Sequence, residues 1–401
     1  MSTIKRRNFF ELDRESFIPY NTNNIKKTIE ILNKDKLIII KWLKNTWKLN
    51  FIKEFINKTN LTKSYFYFNK SDDIENRVSS NKELELLLND YVQLYKNPKI
   101  IILQNISNIE WIKDFISMIY KSNYKTILVW NTIKIWWIKE LEIFTNINIT
   151  EDNLESTLKY WAINEVKHIQ EIDLKEKYLK LLVNDIFLND IFKNYWVKSI
   201  DLYKFTITFL AENSFFSSLR ELQSKLDNIQ KISLKTAIDY IDYSIQEKIL
   251  KRVYKYDIKT NKANSAKAKY YFADNGIRNA LANFELKDEI LNENLVFNLL
   301  ELNNYNVHSG VSGKFDFSFY WELKEENITN NLIEQKIYIQ MTDNFSRDDI
   351  KKEVAKFMKI EDDFSKYILI ESVEKLWLKK LRYDSIEIME TKEFLKRFAK
   401  N

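Results

Sequence analysis

Four short apolar runs set the fold class: KLIII at 36–40, YFYF at 65–68, IIIL at 100–103 and TILV at 126–129. Between them lie stretches with helical spacing near 49–56, 81–95 and 110–120. Leu49, Ile52, Phe55 and Ile56 mark the first of these. Parallel neighbouring strands need a crossover connection, and a helix usually supplies it. The alternation therefore predicts an α/β layer with a parallel sheet over residues 1–150.

The rest of the chain reads differently. At 401 residues it is too long for one typical domain. Residues 151–198 are helical in pattern and predict a linker or lid. Residues 199–262 hold the helical segments LYKFTITFLAEN, SSLRELQSKL and SLKTAIDYIDYSIQEKIL, with Ser233 as N-cap of the third. A β-like pair at 252–258 and 269–273 follows, and three helices with a hairpin describe a winged helix. Residues 263–401 mix helices at 293–302 and 347–359 with strands at 315–320, 336–341 and 366–370.

Composition removes several chemistries. The chain has no cysteine, which excludes disulfides, thiolate metal sites and cysteine nucleophiles. Two lone histidines, His168 and His308, leave no His-rich metal centre and read as ordinary surface or core residues. No apolar run reaches about 18 residues, so no membrane-spanning helix is expected. The N-terminal MSTIKRRNFF lacks the apolar stretch of a secretory signal, and a cytoplasmic protein is expected.

The turn after the first apolar run is a candidate phosphate loop. Such a loop needs two glycines, a Lys and a hydroxyl between a strand and a helix, so that backbone amides cradle phosphates. Lys48 stands in that context, but Trp42 and Trp47 occupy the glycine positions and Leu49 the hydroxyl position. Downstream, a strand tip ordinarily presents an Asp for Mg²⁺ and a Glu that polarises water. Here IIIL ends in Gln104 and Asn105, the uncharged amides of those acids. TILV ends in Trp130, Asn131 and Thr132, where a polar sensor of the terminal phosphate would lie.

These segments, with KYYFADNGIRNAL (269–281) and NENLVFNLLELNNYNV (292–307), resemble the AAA-type P-loop ATPases of bacteria and archaea. Those proteins carry a winged helix and a fused C-terminal domain similar to restriction endonucleases. The C-terminal match runs through Tyr271, Phe272, Asp274, Gly276, Glu293, Asn294, Val296, Phe297 and Leu299. The resemblance implies a nucleotide site at Trp42, Lys44, Asn45, Thr46, Trp47, Lys48, Leu49 and Asn131. It implies ATP as ligand, with Mg²⁺ binding undermined at Gln104 and Asn105. In the endonuclease-like domain it implies Glu293, Asp316 and the Gln340-Met341-Thr342 segment as the nuclease positions. There the third acid is an amide and the Lys is missing; Asp343 falls one residue late, on the opposite face of a strand. Weak or absent ATP hydrolysis is the expectation and cleavage of nucleic acid the least expected activity. The alternative is a nucleotide-independent DNA-binding or protein-interaction module.

Positive charge is concentrated. From Lys248 to Lys269 eight basic residues face one acid, a net +7 where the whole chain carries +6. A basic hairpin beside three helices is the footprint of nucleic-acid binding. Lys251, Arg252 and Lys255 are its candidates, with Lys235 and Thr236 on the third helix; a solvated lysine-rich hairpin is the competing description.

Finally, the chain has 3 glycines and 10 tryptophans. Trp42, Trp47, Trp130, Trp161 and Trp377 all stand where the resemblance or a turn calls for glycine. One cause would serve all five: a UGA codon read as glycine in the cell, in a sequence translated with a code that reads UGA as tryptophan. Trp111 is the exception, read as a genuine aromatic.

Overall fold

The computed structural model describes residues 22–41, 48–61, 64–70, 78–106, 109–129, 139–142, 154–160, 166, 169–213, 219–228, 231–260, 262–302, 306–312, 315–316, 318–326, 332–341, 347–372, 382–383 and 385–399. It divides into two compact units, Met1–Thr145 and Asn146–Asn401. Both mix helices with sheets that contain parallel strands, so the α/β class holds.

The first unit is a five-stranded, all-parallel sheet. Its strands are β1 (Leu37–Lys41), β2 (Tyr65–Asn69), β3 (Ile100–Gln104), β4 (Lys125–Val129) and β5 (Lys139–Glu142). Their order is β2-β3-β4-β1-β5, with every neighbour parallel. The helices are α1 (Thr22–Asp35), α2 (Lys48–Lys58), α3 (Asn81–Tyr95) and α4 (Ile112–Lys121). Leu37, Ile39, Phe66, Phe68, Ile101, Leu103 and Leu128 form one core with Leu84, Leu88, Tyr91, Phe115, Ile116 and Ile119 of α3 and α4. The alternate residues Ile38, Ile40, Tyr65, Ile100, Ile102 and Ile127 are buried too. Burial on both faces is what makes these strands unbroken apolar runs.

At the helix ends of the first unit, residues other than glycine take positive φ. Lys36, Asn60, Lys96 and Asn123, which follow α1 to α4, have φ of 59°, 52°, 69° and 70°. Asn tolerates that region because its short amide can bond locally; Lys has no such compensation.

The second unit begins with α5 (Leu154–Tyr160) and α6 (Ile172–Ile186), which runs into a single π-turn at Phe187–Ile191. Helices α7 (Ile200–Glu212), α8 (Leu219–Asp227) and α9 (Leu234–Gln246) follow, then the antiparallel hairpin of β6 (Leu250–Asp257) and β7 (Lys262–Phe272). Ser233 caps α9, its hydroxyl accepting from the Thr236 N–H at 3.1 Å, as its position predicts. Next come α10 (Asn275–Leu281), α11 (Asp288–Leu302), β8 (Asn306–Ser312), β9 (Phe315–Asp316), β10 (Phe319–Glu326), β11 (Leu332–Met341) and α12 (Arg347–Phe357). The unit ends with β12 (Ser365–Ile370), β13 (Arg382–Tyr383), β14 (Ile386–Glu390) and α13 (Thr391–Ala399).

The hairpin is the end of a nine-stranded mixed sheet, ordered β13-β14-β12-β11-β10-β8-β6-β7 with β9 on β8. β6 joins it by parallel pairing of Lys255, Tyr256 and Asp257 with Ser309, Gly310 and Val311. β7 starts at Lys262, so the hairpin straddles residue 262, the end of the segment that sequence pattern marks out as a winged helix.

Candidate functional site

In an open parallel sheet, ligands lie beyond the carboxyl ends of the strands, where successive connections leave in opposite directions. Here the chain passes from β1 to the far edge and returns through β2, β3 and β4, then crosses beyond β1 to β5. The crevice is thus beside β1, and α2 opens there at Lys48. A helix N-terminus with its unpaired amides attracts anions. Trp42, Lys44, Asn45, Thr46 and Trp47, together with Trp130 and Asn131, lie outside the described residues; of Lys48 and Leu49 the structure describes only their place in the first turn of α2.

Further along the same edge of the sheet, the tips of β3 and β2 carry amides. Gln104 ends β3 and accepts a hydrogen bond from the Tyr67 hydroxyl at 3.1 Å. Asn105 follows with φ 55°, and its amide donates to Asn69 Oδ1 at 2.9 Å. Asn69 ends β2 in register with Gln104. The left-handed turn at Asn105 ends the strand, and the cluster is neutral. No group of three or more acids or histidines is placed to hold a metal among the described residues. Neutral amides can accept from water or an ammonium, but they cannot balance a divalent cation as carboxylates do.

The segment from Lys269 to Asn298 proves to be a buried polar junction. Asn294 Oδ1 accepts from the Phe272 N–H at 2.8 Å and from Arg278 Nη1 at 3.1 Å. Its Nδ2 donates to Phe272 O and to Asn275 Oδ1, both at 2.8 Å. Arg278 is fully buried, donates through Nε to Ala211 O at 3.0 Å, and lies over the Phe272 ring. Burial pulls its pKa down to about 10, although the Glu293 charge opposes that shift. Asn275 and Asn279 donate to the carbonyls of Leu158 and Lys159 at 2.8 and 3.2 Å, holding the last turn of α5. Asp274 caps α10. A Cβ on Gly276 would stand 2.9 Å from Tyr160 O, which is why this position takes glycine. Phe272, Asp274, Gly276 and Asn294 of the motif are accounted for by this junction.

The endonuclease-like positions do not converge on a described metal site. Glu293 is buried, and one of its oxygens accepts both from the Tyr271 hydroxyl at 2.8 Å and from Lys269 Nζ at 3.0 Å. Burial, and then the Glu293 charge, push the Tyr271 hydroxyl pKa well above its ordinary value. Gln340 is half-buried on β11 and donates to the Met341 carbonyl at 3.2 Å. Asp316 lies on β9, and Thr342 and Asp343 are outside the described residues.

The basic hairpin is less free than its charge count suggests. Lys251 is paired with Glu301 of α11, Arg252 with Asp242 of α9 at 2.6 Å, and Lys269 with Glu293. Arg252 also lies against the Tyr270 ring. Lys251 and Arg252, two of the candidates for phosphate contact, are thus each paired with an acid from a helix. Lys255 is half-buried. The exposed charge sits further out, at Lys259, Lys262 and Lys267 around the tip and on edge strand β7, with Lys235 exposed on α9. Thr236 is taken up in the α9 cap, its hydroxyl 2.7 Å from that of Ser233. His308 stacks on Tyr256, and His168 lies outside the described residues.

Two tryptophans can be inspected closely. Trp111 precedes α4 with φ 60° and ψ 26°, a left-handed conformation that is an outlier for a bulky residue, and is 72% exposed. Trp196 is 93% exposed, more than any other large hydrophobic among the described residues. Trp42, Trp47, Trp130, Trp161 and Trp377 lie outside the described residues.

No protein-family description matches the chain. No curated protein matches it by sequence. Among solved structures it is similar to the Walker-type ATPase of Pyrococcus abyssi, at 11% identity and a TM-score of 0.46, over 70% of this chain and 99% of that one. It is also similar to the Aeropyrum pernix ORC1 protein in complex with DNA, at 11% identity and 0.30, over 69% and 96%. The third is the replication initiator DnaA bound to AMPPCP and single-stranded DNA, at 14% and 0.28, over 60% and 93%. At these scores the assignment is left to the chain's own residues. Among the described residues, no helix is long and apolar enough to cross a membrane.

Proposed function

We propose that this chain is an AAA-type P-loop ATPase relative that binds ATP at the β1–α2 turn and hydrolyses it weakly or not at all. The carrying observation is the neutral tip of β3. It stands at the edge where a parallel sheet binds ligands, yet presents Gln104 and Asn105 tied to Tyr67 and Asn69. An anion site at the start of α2 survives such a change, because backbone amides and Lys48 form it. Efficient phosphoryl transfer does not, because it depends on charge that holds Mg²⁺ and stabilises the transition state. The absence of cysteine fits action in the cytoplasm. Helices α7 to α9 with the β6–β7 hairpin support a winged helix, and the exposed lysines at its tip support nucleic-acid contact. The sheet beyond it fits an endonuclease-like scaffold without cleavage activity.

Calorimetric titration with ATP, with and without Mg²⁺, tests this. Binding that is lost in Lys48→Ala and changes little on Mg²⁺ removal is expected. Absence of binding under both conditions would favour the alternative, a nucleotide-independent DNA-binding or protein-interaction module, which the neutral β3 tip also fits.

A further inference from the structure

The first unit holds a cleft at the end of its sheet opposite the start of α2. Its volume is about 490 Å³, within the range of sites that take a small organic molecule. Among the described residues it is lined by the last turns of α1, the end of α2, and the chain that enters β3 and β4. Ile29, Leu32, Phe55, Leu61, Pro98 and Ile100 give it an apolar wall. The nucleotide reading uses the carboxyl ends of the strands, whereas this cleft lies at the amino ends of β3 and β4.

The polar groups of the lining select the ligand. Asn33 Oδ1 accepts from Lys125 Nζ at 2.7 Å, and Asn123 Oδ1 accepts from Lys36. Both amide oxygens are thus engaged by lysines, which leaves the two Nδ2 groups as donors. The hydroxyls of Thr59 and Tyr124 are tied to Phe55 O at 2.5 Å and Asn97 Oδ1 at 3.1 Å. The charged residues of the described lining are Lys99 and Lys125, with no acid among them. Lys125 is held by an amide and not by a carboxylate, and Lys99 is exposed. We propose that this cleft binds a small amphipathic anion. Its apolar body lies against Leu32, Phe55 and Ile100, and Lys99 and Lys125 hold its carboxylate or phosphate head. An apolar wall alone would take any apolar molecule; two lysines without a counter-charge add the preference for an anion. Each lysine carries its charge on a flexible stem, so both can close on one head group.

Calorimetric titration of the full chain with octanoate, octyl phosphate, 1-octanol and octylamine tests the proposal. Saturable binding of octanoate or octyl phosphate, one per chain, is expected; the tighter of the two identifies the head group. Octanol should bind at least about tenfold more weakly, because it lacks the charge that the lysines meet. Octylamine should not bind. Lys99→Ala combined with Lys125→Ala should bring octanoate down to the affinity of octanol. Ile29→Trp, at a half-buried position of α1, should fill the cleft and abolish binding. Circular dichroism on each variant establishes that the fold is retained, and the comparison of the four ligands on the wild-type chain stands where a variant fails to fold. Saturating ATP should leave octanoate binding unchanged. Competition by ATP would move the anion to the start of α2 and overturn the proposal, whereas a chain that takes octanoate and no ATP would leave it standing. Absence of binding by either anion, equal affinity for octanol, or a double lysine variant that keeps the preference for octanoate would each overturn it.

Discussion

The hydroxyl of Tyr271 donates to the carboxylate of Glu293 at 2.8 Å, and both groups are buried. That bond gives the acid a structural role, because the same oxygen of Glu293 accepts from both Tyr271 and Lys269. Glu293→Ala would remove the acceptor of a buried hydroxyl and the counter-charge of a half-buried ammonium, at a cost of about 2 kcal/mol. Denaturant unfolding should show that loss. Tyr271→Phe should lose about 1–2 kcal/mol. Incubation of the wild-type chain with DNA and Mg²⁺ should give no cleavage that Glu293→Ala abolishes; such cleavage would return Glu293 to a catalytic role.

Gain of function checks the β3 tip. The replacements Gln104→Asp, Asn105→Glu and Leu49→Thr restore the charge and the hydroxyl that the resemblance calls for. In a chain that also has glycine at positions 42 and 47, Mg²⁺-dependent phosphate release should rise about a hundredfold over background. Both new carboxylates would sit beside Tyr67 and Asn69, which can donate to them. If release does not rise, the edge of the sheet is not a nucleotide site.

Charge counted along a chain is not charge counted in space. The net +7 between Lys248 and Lys269 was legible in the sequence, but its neutralisation by Asp242, Glu293 and Glu301 was not, because those acids come from other helices. Neutralising Lys259, Lys262 and Lys267 should weaken nucleic-acid binding uniformly across sequences. For every phosphate that no longer meets a lysine, the salt slope should fall by about 0.7–0.9. Neutralising Lys251 and Arg252 should instead lower thermal stability and leave the salt slope unchanged. Titrations at several salt concentrations separate the two sets.

The strands show the same division between local and distant information. The four apolar runs match β1 to β4 to within one residue at each end, because a strand buried on both faces announces itself. β5, with the sequence KELE, carries no such pattern and pairs at the sheet edge; only its partner β1 reveals it. The FDFSFY run reads as one strand but divides into β9 and β10, which pair with β8 in separate registers. The KYYFADNG motif was visible as a signature, yet its work is to hold Asn294, Arg278 and the end of α5, and those partners lie up to 117 residues away.

Scarce glycine leaves a stability reserve at the helix ends. Lys96 follows α3 with φ 69° and ψ −174°, a region that only glycine enters without strain. Lys96→Gly should stabilise the protein by about 1 kcal/mol, the relief of strain exceeding the entropy that glycine adds to the unfolded chain. In a unit of this size that corresponds to roughly 3 °C in Tm. Differential scanning calorimetry on the single variant measures it; Asn60→Gly, where Asn already tolerates the left-handed region, should gain less.

The same scarcity bears on the tryptophans. An indole at φ 60° with 72% of its surface in water gains neither the burial nor the backbone geometry that favour tryptophan, and Trp111 is in that position. Trp196 gains no burial either. These two join Trp42, Trp47, Trp130, Trp161 and Trp377, whose places in the sequence call for glycine. If a UGA codon is read as glycine in the cell, the turn before Lys48 regains the two residues that let backbone amides approach a phosphate. The left-handed residue before α4 becomes glycine as well. Tryptic peptides of the native protein should then show glycine masses at positions 42, 47, 111 and 196. Refolding the two forms side by side should show the glycine form binding ATP more tightly than the tryptophan form. UGG at codons 42, 47 and 111 of the gene would end this explanation and make the exposed indole of Trp111 a property of the protein itself.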